Sequence, residues 1–223
     1  GDLSQQPTIS GDLSISDLRY EDKKLGHFTS SLFYEPRSGD SHYITGEIGY
    51  NGQPAMSIDG IYYPREKVSP LKGTLTLTSF PLELANPFLA ENSTTLAGTA
   101  DGSIRLSGKL TEPLLSGQMQ LNKGMLNLNA YGTHLALDSI PVRMEGSDIF
   151  FDHYALRPSG DPKKAIYIDG SIRKSTTPQA TASLRITSDE LTLLDEPRPT
   201  RDDQLLYGKI IASTRMVATG PLA

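Results

Sequence analysis

The sequence contains no cysteine and no tryptophan among its 223 residues, and only 7% of them are aromatic. The absence of cysteine excludes disulfide bonds and thiolate metal sites. No apolar run approaches the roughly 18–20 residues that a membrane-spanning helix needs. The net charge is −5 with no basic cluster, so the chain lacks the positive surface that binds a phosphate backbone. These absences disfavour both nucleic-acid binding and a helical membrane span.

What the sequence does contain is a repeated alternation of apolar and polar residues, with a glycine at one of the apolar positions. Examples are Ile44-Gly46-Ile48, Leu71-Gly73-Leu75-Leu77 and Ile166-Ile168-Gly170-Ile172. Side chains alternate across a strand with a period of two, so each run predicts a strand with one apolar and one polar face. A glycine on the apolar face leaves a gap, which indicates bending of the sheet or a close approach.

Turn residues divide these runs into short strands. Asn51-Gly52 is a typical two-residue hairpin turn, because both central positions of the favoured turn need a positive φ. Such spacing predicts a meander of antiparallel strands. One short helix is predicted where residues 81–85 are followed, after Pro87, by residues 88–91, since proline is tolerated only in a first helical turn.

A shift in composition near residues 68–71 predicts an array of related modules. Residues 1–67 hold most of the tyrosines and are expected to form an N-terminal β module. Residues 71–196 are richer in leucine and form a second segment of the same array. Residues 197–223 combine a loop rich in proline and charge with the start of a further β repeat, where the fragment ends.

The titratable residues do not suggest catalysis or metal binding. Asp148, Asp152 and His153 form the densest cluster of acids and imidazole. The two aspartates share the polar face of a predicted strand, where charged side chains usually contact only water. The four histidines lack the spacing of a metal site. We therefore predict a protein that is not an enzyme, with no catalytic residue, no metal and no cofactor.

Several segments resemble a known family. Residues 77–84, 87–89, 96–102 and 106–117, continued by 121–126 and 146–151, resemble the C-terminal domain of TamB, the translocation and assembly module subunit, in the AsmA-like superfamily. Residues 205–208 are similar to the segment that follows this domain in TamB homologues from Bacteroidetes-type bacteria. The resemblance is good over residues 71–220 and loose over residues 7–67.

The resemblance implies a mainly β fold, in which a long, curved, antiparallel-rich sheet forms a half-pipe or β-taco with an apolar concave face. It implies the periplasmic part of an envelope protein anchored in the inner membrane, with roles in lipid transport between the membranes and in outer-membrane protein assembly. The implied partners are phospholipid acyl chains, the remainder of the parent protein and a TamA-type outer-membrane barrel. The isolated fragment could also form a dimer that hides its apolar face.

A long open sheet must curl onto itself or have its apolar face covered by another molecule. In a lipid conduit the cover is an acyl chain, and each buried methylene contributes about 0.8 kcal/mol. The residues predicted to line this groove are Leu75, Leu77, Ile104, Leu106, Leu110, Leu115, Met119, Leu121, Leu126, Leu128, Ile166, Ile168 and Ile172.

The alternative is a β-rich surface or carbohydrate-binding module with a closed sandwich core. Tyr62, Tyr63 and Tyr167 would then supply stacking platforms. A sugar site needs aromatic rings with convergent polar groups, whereas a lipid groove needs a continuous aliphatic stripe. The stripe of leucines between residues 106 and 128 favours the lipid groove.

Overall fold

The computed structural model describes residues 8–20, 23–37, 39–89, 94–129, 132–160, 163–173, 181–196 and 208–221. Over these residues the chain forms thirteen strands and one short 3₁₀ helix, Leu82–Phe88. The strands are β1 (Ile9–Tyr20), β2 (Lys23–Arg37), β3 (Ser41–Tyr50), β4 (Gln53–Tyr62), β5 (Leu71–Pro81), β6 (Thr94–Lys109), β7 (Glu112–Leu128), β8 (Thr133–Leu137), β9 (Val142–Glu145), β10 (Asp148–Pro158), β11 (Ile166–Arg173), β12 (Thr181–Glu196) and β13 (Gly208–Pro221). The prediction of a mainly β chain with a short helix after residue 81 is confirmed.

All of these strands belong to one antiparallel sheet, in which strands next to each other along the chain also pair in space, with the exception of β8 and β9. The predicted Asn51-Gly52 turn joins β3 to β4, and both residues have the positive φ that it requires, 49° and 80°. Strands β4 and β5 pair across residues 63–70, so the sheet is continuous where the composition shifts. The described strands form one sheet rather than two separate sheets, which favours the predicted curved sheet over the closed sandwich of the alternative.

Strands β8 and β9 lie in the same lane of the sheet, between β7 and β10. Leu135 pairs with Leu126 and Val142 with Met119, so a single register runs through both short strands. Residues 138–141 interrupt this lane. The Asp138 carboxylate accepts a 2.7 Å hydrogen bond from the backbone N–H of Ser139, a local turn that competes with strand pairing.

The two faces of the sheet differ in chemistry. One row across the sheet consists of Ile58, Leu75, Ile104, Gly117, Met144, Ile149 and Ile172. The neighbouring row on the opposite face consists of Asp59, Thr74, Arg105 and Ser116. The predicted period of two thus produces one continuous apolar face, called the apolar face below, and one polar face.

Glycines on the apolar face allow neighbouring strands to approach closely. A Cβ atom added to Gly102 would lie 2.4 Å from the carbonyl oxygen of Gln118, and one added to Gly170 would lie 2.2 Å from that of Ser183. Both distances are far shorter than any real contact of a Cβ atom, so a side chain would hold these strands apart. We conclude that the sheet bends toward its apolar face, as the curved-sheet prediction requires.

Two β-bulges adjust which residues reach the apolar face. In β7 the register shifts at residues 123–124, where Lys123 has φ 50°. This extra residue places Leu126 on the same face as Leu121, although strict alternation would separate them. The second bulge is in β10. There, the two residues Asp152 and His153 lie opposite the single residue of β11 between Ile168 and Gly170.

The 3₁₀ helix is fastened to the edge of β6. The side chain of Asn86 accepts a 2.6 Å hydrogen bond from the backbone N–H of Leu96 and donates a 3.0 Å bond to its carbonyl oxygen. Pro87 lies inside the helix, and a proline at this point prevents a longer α-helix. The helix therefore remains a short connection between β5 and β6.

Candidate functional site

A cluster of buried side chains lies on the apolar face at β8, β9 and β10. Its central cluster consists of Leu135, Val142, Tyr154 and Leu156, whose exposed fractions lie between 3% and 9%. Partly buried side chains from β7 to β11 pack around this cluster: Met119, Leu121, Leu126, Leu128, Leu137, Ile149, Phe151, Ile166 and Ile168. The cluster and its surroundings form one continuous apolar surface, called the groove below.

The burial of this cluster has a structural cause. The described strands form a single sheet, so no second sheet of the described chain covers the apolar face. Side chains on one face of an isolated flat sheet stay in contact with water, and burial to a few per cent requires contact with side chains from other lanes. Curvature toward the apolar face brings such side chains together, and the result is a trough rather than a flat surface.

Most of the predicted lining residues lie on this face. Six of them surround the central cluster: Met119, Leu121, Leu126, Leu128, Ile166 and Ile168. Ile104 and Leu106 are buried farther along the same face. Leu75, Leu77, Leu115 and Ile172 are partly buried there. Arg105, Gln118 and Gln120, which alternate with these apolar residues along β6 and β7, are exposed on the polar face.

Leu110 departs from the expected position. Strand β6 ends at Lys109, and Leu110 lies in the turn before β7 with 54% of its surface exposed. Gly108, with φ 87°, ends the regular alternation two residues earlier. The prediction that Leu110 lies on the apolar face of a strand was wrong, because the strand ends one residue earlier.

The residues at the centre of the groove were not predicted from the sequence. Leu135 and Val142 belong to two short strands whose shared register only the structure reveals. Tyr154 and Leu156 follow the bulge in β10, which reverses the alternation set by Ile149. Apolar and polar residues alternate within 133–137 and within 149–151, and this was the available signal. Which face the residues beyond these segments occupy depends on pairing with distant strands.

The groove is more open toward the two ends of the sheet. In β1, Leu13 is 59% exposed, and in β13, Met216 is 48% exposed. Both residues lie on the apolar face. Leu13 pairs with Ser30, and Met216 pairs with Ile186, and each pair belongs to a row across the sheet that includes aliphatic residues of the apolar face. The apolar surface is therefore more buried in the middle of the sheet and more accessible at both ends.

A polar group interrupts the apolar face near its N-terminal end. His42 is buried, its Nδ1 forms a hydrogen bond with the Tyr34 hydroxyl, and the two rings are stacked. Tyr62 lies next to this pair. Tyr63 lies beside Lys72, and Tyr167 is on the polar face against His153. The three tyrosines proposed as sugar platforms are thus in three separate surroundings and do not form one site.

Tyr154 is the main polar group beneath the groove. Its hydroxyl donates a 2.7 Å hydrogen bond to the carbonyl oxygen of Asp138. Burial, and next the negative charge of Asp138, raise the pKa of Tyr154 to about 12. The tyrosine therefore stays neutral, and the groove floor carries no charge at this point.

The acidic cluster singled out in the sequence lies outside the groove. Asp148 and Asp152 are on the polar face of β10, as predicted. His153 is near Asp169, with Nδ1 3.8 Å from a carboxylate oxygen. Within the described residues, no group of three or more histidine, aspartate or glutamate side chains is placed to hold a metal ion.

The family model for the TamB N-terminal domain matches residues 47–121, from β3 into β7. The match supports a relation to the TamB family and overlaps the resemblance seen in the sequence over residues 71–121. The matched domain is the N-terminal one, so correspondence with the C-terminal domain, the AsmA-like superfamily and a Bacteroidetes-type source stays a prediction. No curated protein and no solved structure matches the chain.

Within the described residues, no helix is long and apolar enough to cross a membrane.

Proposed function

We propose that this chain is a non-enzymatic section of a TamB-like conduit in the cell envelope, and that its groove holds the acyl chains of phospholipids. The observation that carries this proposal is the apolar face, which continues across one bent sheet with no covering layer in the part of the chain described. An apolar surface of this kind needs a partner, and the match to the TamB N-terminal domain supports an envelope role.

The dimensions and chemistry of the groove suit a flexible hydrocarbon. Twelve lanes at a spacing of about 4.8 Å give a sheet roughly 53 Å across. Its half-buried leucine, isoleucine and methionine side chains give an aliphatic lining, and each methylene that enters it contributes about 0.8 kcal/mol. Open ends let a chain enter from one side and leave from the other.

The wider context of the conduit belongs to the same proposal. The chain would be a periplasmic section of a protein anchored in the inner membrane, would carry lipid between the two membranes and would support outer-membrane protein assembly with a TamA-type barrel. The sequence resemblance and the family match support this context. The segments 1–67, 71–196 and 197–223 would act as successive modules of one array.

The test places a charge in the groove. Leu121→Asp, introduced into the full-length parent protein, puts a carboxylate among apolar side chains, and an unpaired charge in such surroundings costs several kcal/mol. We expect a normally abundant protein, a leaky outer membrane and, in the purified chain, loss of the phospholipid that native mass spectrometry detects with the wild type. Met119→Arg should act in the same way.

Gln120→Asp is the matched control, because it places the same charge one residue away on the exposed polar face. It should leave both lipid binding and outer-membrane integrity intact. Full function of Leu121→Asp at normal protein level, or equal loss of lipid in Leu121→Asp and Gln120→Asp, would overturn the proposal. Unfolding of both groove variants would also contradict it, since it would indicate a closed core.

A further inference from the structure

The polar face carries a second candidate site, away from the groove. A shallow cavity of about 580 Å³ lies over β7, β9, β10 and β11, and the polar-face side chains around it include Gln118, Arg143, Phe150, Asp152 and Ser171. Its size lies in the range of about 300–1,000 Å³ that is usual for small-molecule sites.

The cavity exists because the regular packing of the sheet is interrupted there twice. Residues 138–141 break the lane between β7 and β10, and Pro141 forms part of the cavity wall. One lane away, the bulge at Asp152 and His153 adds an extra residue to β10. Bulges of this kind often re-aim a side chain beside a binding site.

The cavity presents an aromatic ring together with charged and polar side chains. The guanidinium carbon of Arg143 lies 4.3 Å from the ring centroid of Phe150, and its Nη1 is 2.7 Å from the Glu145 carboxylate. Gln118 and Asp152 are exposed, and their side chains form no hydrogen bond within the described part of the chain. Both are therefore available to a ligand.

A second pair of aromatic rings lies at the bulge, where His153 follows the cavity residue Asp152 in the chain. His153 has φ 49°, a strained conformation for a residue other than glycine. Its ring is parallel to that of Tyr167, with centroids 4.0 Å apart and planes 9° apart. The Asp169 carboxylate accepts a 2.8 Å hydrogen bond from the His153 backbone N–H and fixes this arrangement. The His153 side chain is 67% exposed, so packing does not account for a histidine here.

We infer that the cavity beside Phe150 binds a neutral saccharide chain. Sugars combine apolar ring faces, which pack on aromatic rings, with hydroxyl groups that donate to a carboxylate and accept from a guanidinium or an amide. A phosphate is disfavoured because Glu145 already neutralises Arg143 and Asp152 adds a negative charge. A purely apolar ligand is disfavoured because it would leave Gln118 and Asp152 without partners.

The experiment uses saturation-transfer NMR on the purified 223-residue chain, with cellotetraose and chitotetraose as probes at millimolar concentration. We expect transfer to at least one of these sugars, and at least a tenfold weaker affinity in Phe150→Ala. Asp152→Asn keeps the size of the side chain but removes its charge, and should weaken binding several-fold without affecting the fold.

Tyr43→Ala is the matched control. Arg37 lies 4.3 Å from the ring centroid of Tyr43, so this variant removes an equivalent arginine–aromatic pair elsewhere on the sheet, and it should bind like the wild type. Absence of transfer to either sugar overturns the inference. Transfer that persists in Phe150→Ala, or that falls equally in Tyr43→Ala, overturns the assignment to this cavity. Neither result bears on the lipid groove, which is on the opposite face.

Discussion

The hydroxyl of Tyr154 donates a 2.7 Å hydrogen bond to the carbonyl oxygen of Asp138, across the point where the neighbouring lane is interrupted. The backbone N–H of Asp138 also donates a 3.0 Å bond to the carbonyl oxygen of Ala155. These two bonds connect β10 to the break between β8 and β9. A side chain from the apolar face thus satisfies a carbonyl group that the interrupted strand leaves without its ladder partner.

The raised pKa of Tyr154 predicts that the free energy of unfolding falls at alkaline pH. Tyr154 loses its proton near pH 10 in the unfolded chain and at about 12 in the folded protein, so its contribution is complete below pH 10 and is lost as the pH rises to 12. Between pH 9 and pH 11.5, the free energy of unfolding of the wild type should fall by about 1–2 kcal/mol more than that of Tyr154→Phe. Urea denaturation at the two pH values measures this difference, and parallel declines in the two proteins would contradict it.

The close approach at Gly102 predicts a position-specific penalty. In Gly102→Ala the new methyl group would lie 2.4 Å from a backbone oxygen of β7, and backbone cannot move aside cheaply. We expect a loss of about 1–3 kcal/mol in the free energy of unfolding. Gly11→Ala is the matched control, because a Cβ atom at Gly11 meets nothing within 4 Å. Its stability should be unchanged or higher by up to about 1 kcal/mol, and equal losses in both variants would exclude bending at Gly102.

The bulge in β7 predicts a stabilising substitution. Lys123 has φ 50°, a left-handed conformation that costs most residues about 1–2 kcal/mol. Lys123→Gly should relieve this strain and raise the urea midpoint, with a net gain of about 0.5–1 kcal/mol after the entropy of glycine is counted. Lys109→Gly, on an exposed strand position without a positive φ, should instead lower stability. A loss of stability in Lys123→Gly would show that the lysine side chain has a role of its own.

The parts of the fold that local alternation determines could be predicted from the sequence. The apolar runs around Ile104 and Ile168 appear as strands in the expected phase, and the Asn51-Gly52 turn appears where its backbone preference places it. Glycines on the apolar face indicated bending, and the short backbone approaches at Gly102 and Gly170 bear this out. In each case the information lies within a few consecutive residues.

The parts that depend on pairing between distant residues could not be predicted. Lys123 and His153 adopt positive φ although neither is glycine, and the register of the partner strand imposes each bulge. Leu135 and Val142 share one lane only because β7 and β10 enclose both short strands. Asp152 and His153 stood out in the sequence as part of an acidic cluster, but the cavity on the polar face depends on the same interruption and bulge and could not be predicted.

The meander topology of the sheet has a consequence for how its length can change. Because each strand except β8 and β9 pairs with both of its neighbours along the chain, a hairpin could be inserted or deleted and the flanking strands would still meet in antiparallel order. Contacts of this kind are local in sequence, which favours folding by stepwise growth along the sheet. The distance across the sheet therefore increases by a fixed amount with each hairpin, and the number of hairpins that the gene encodes sets it.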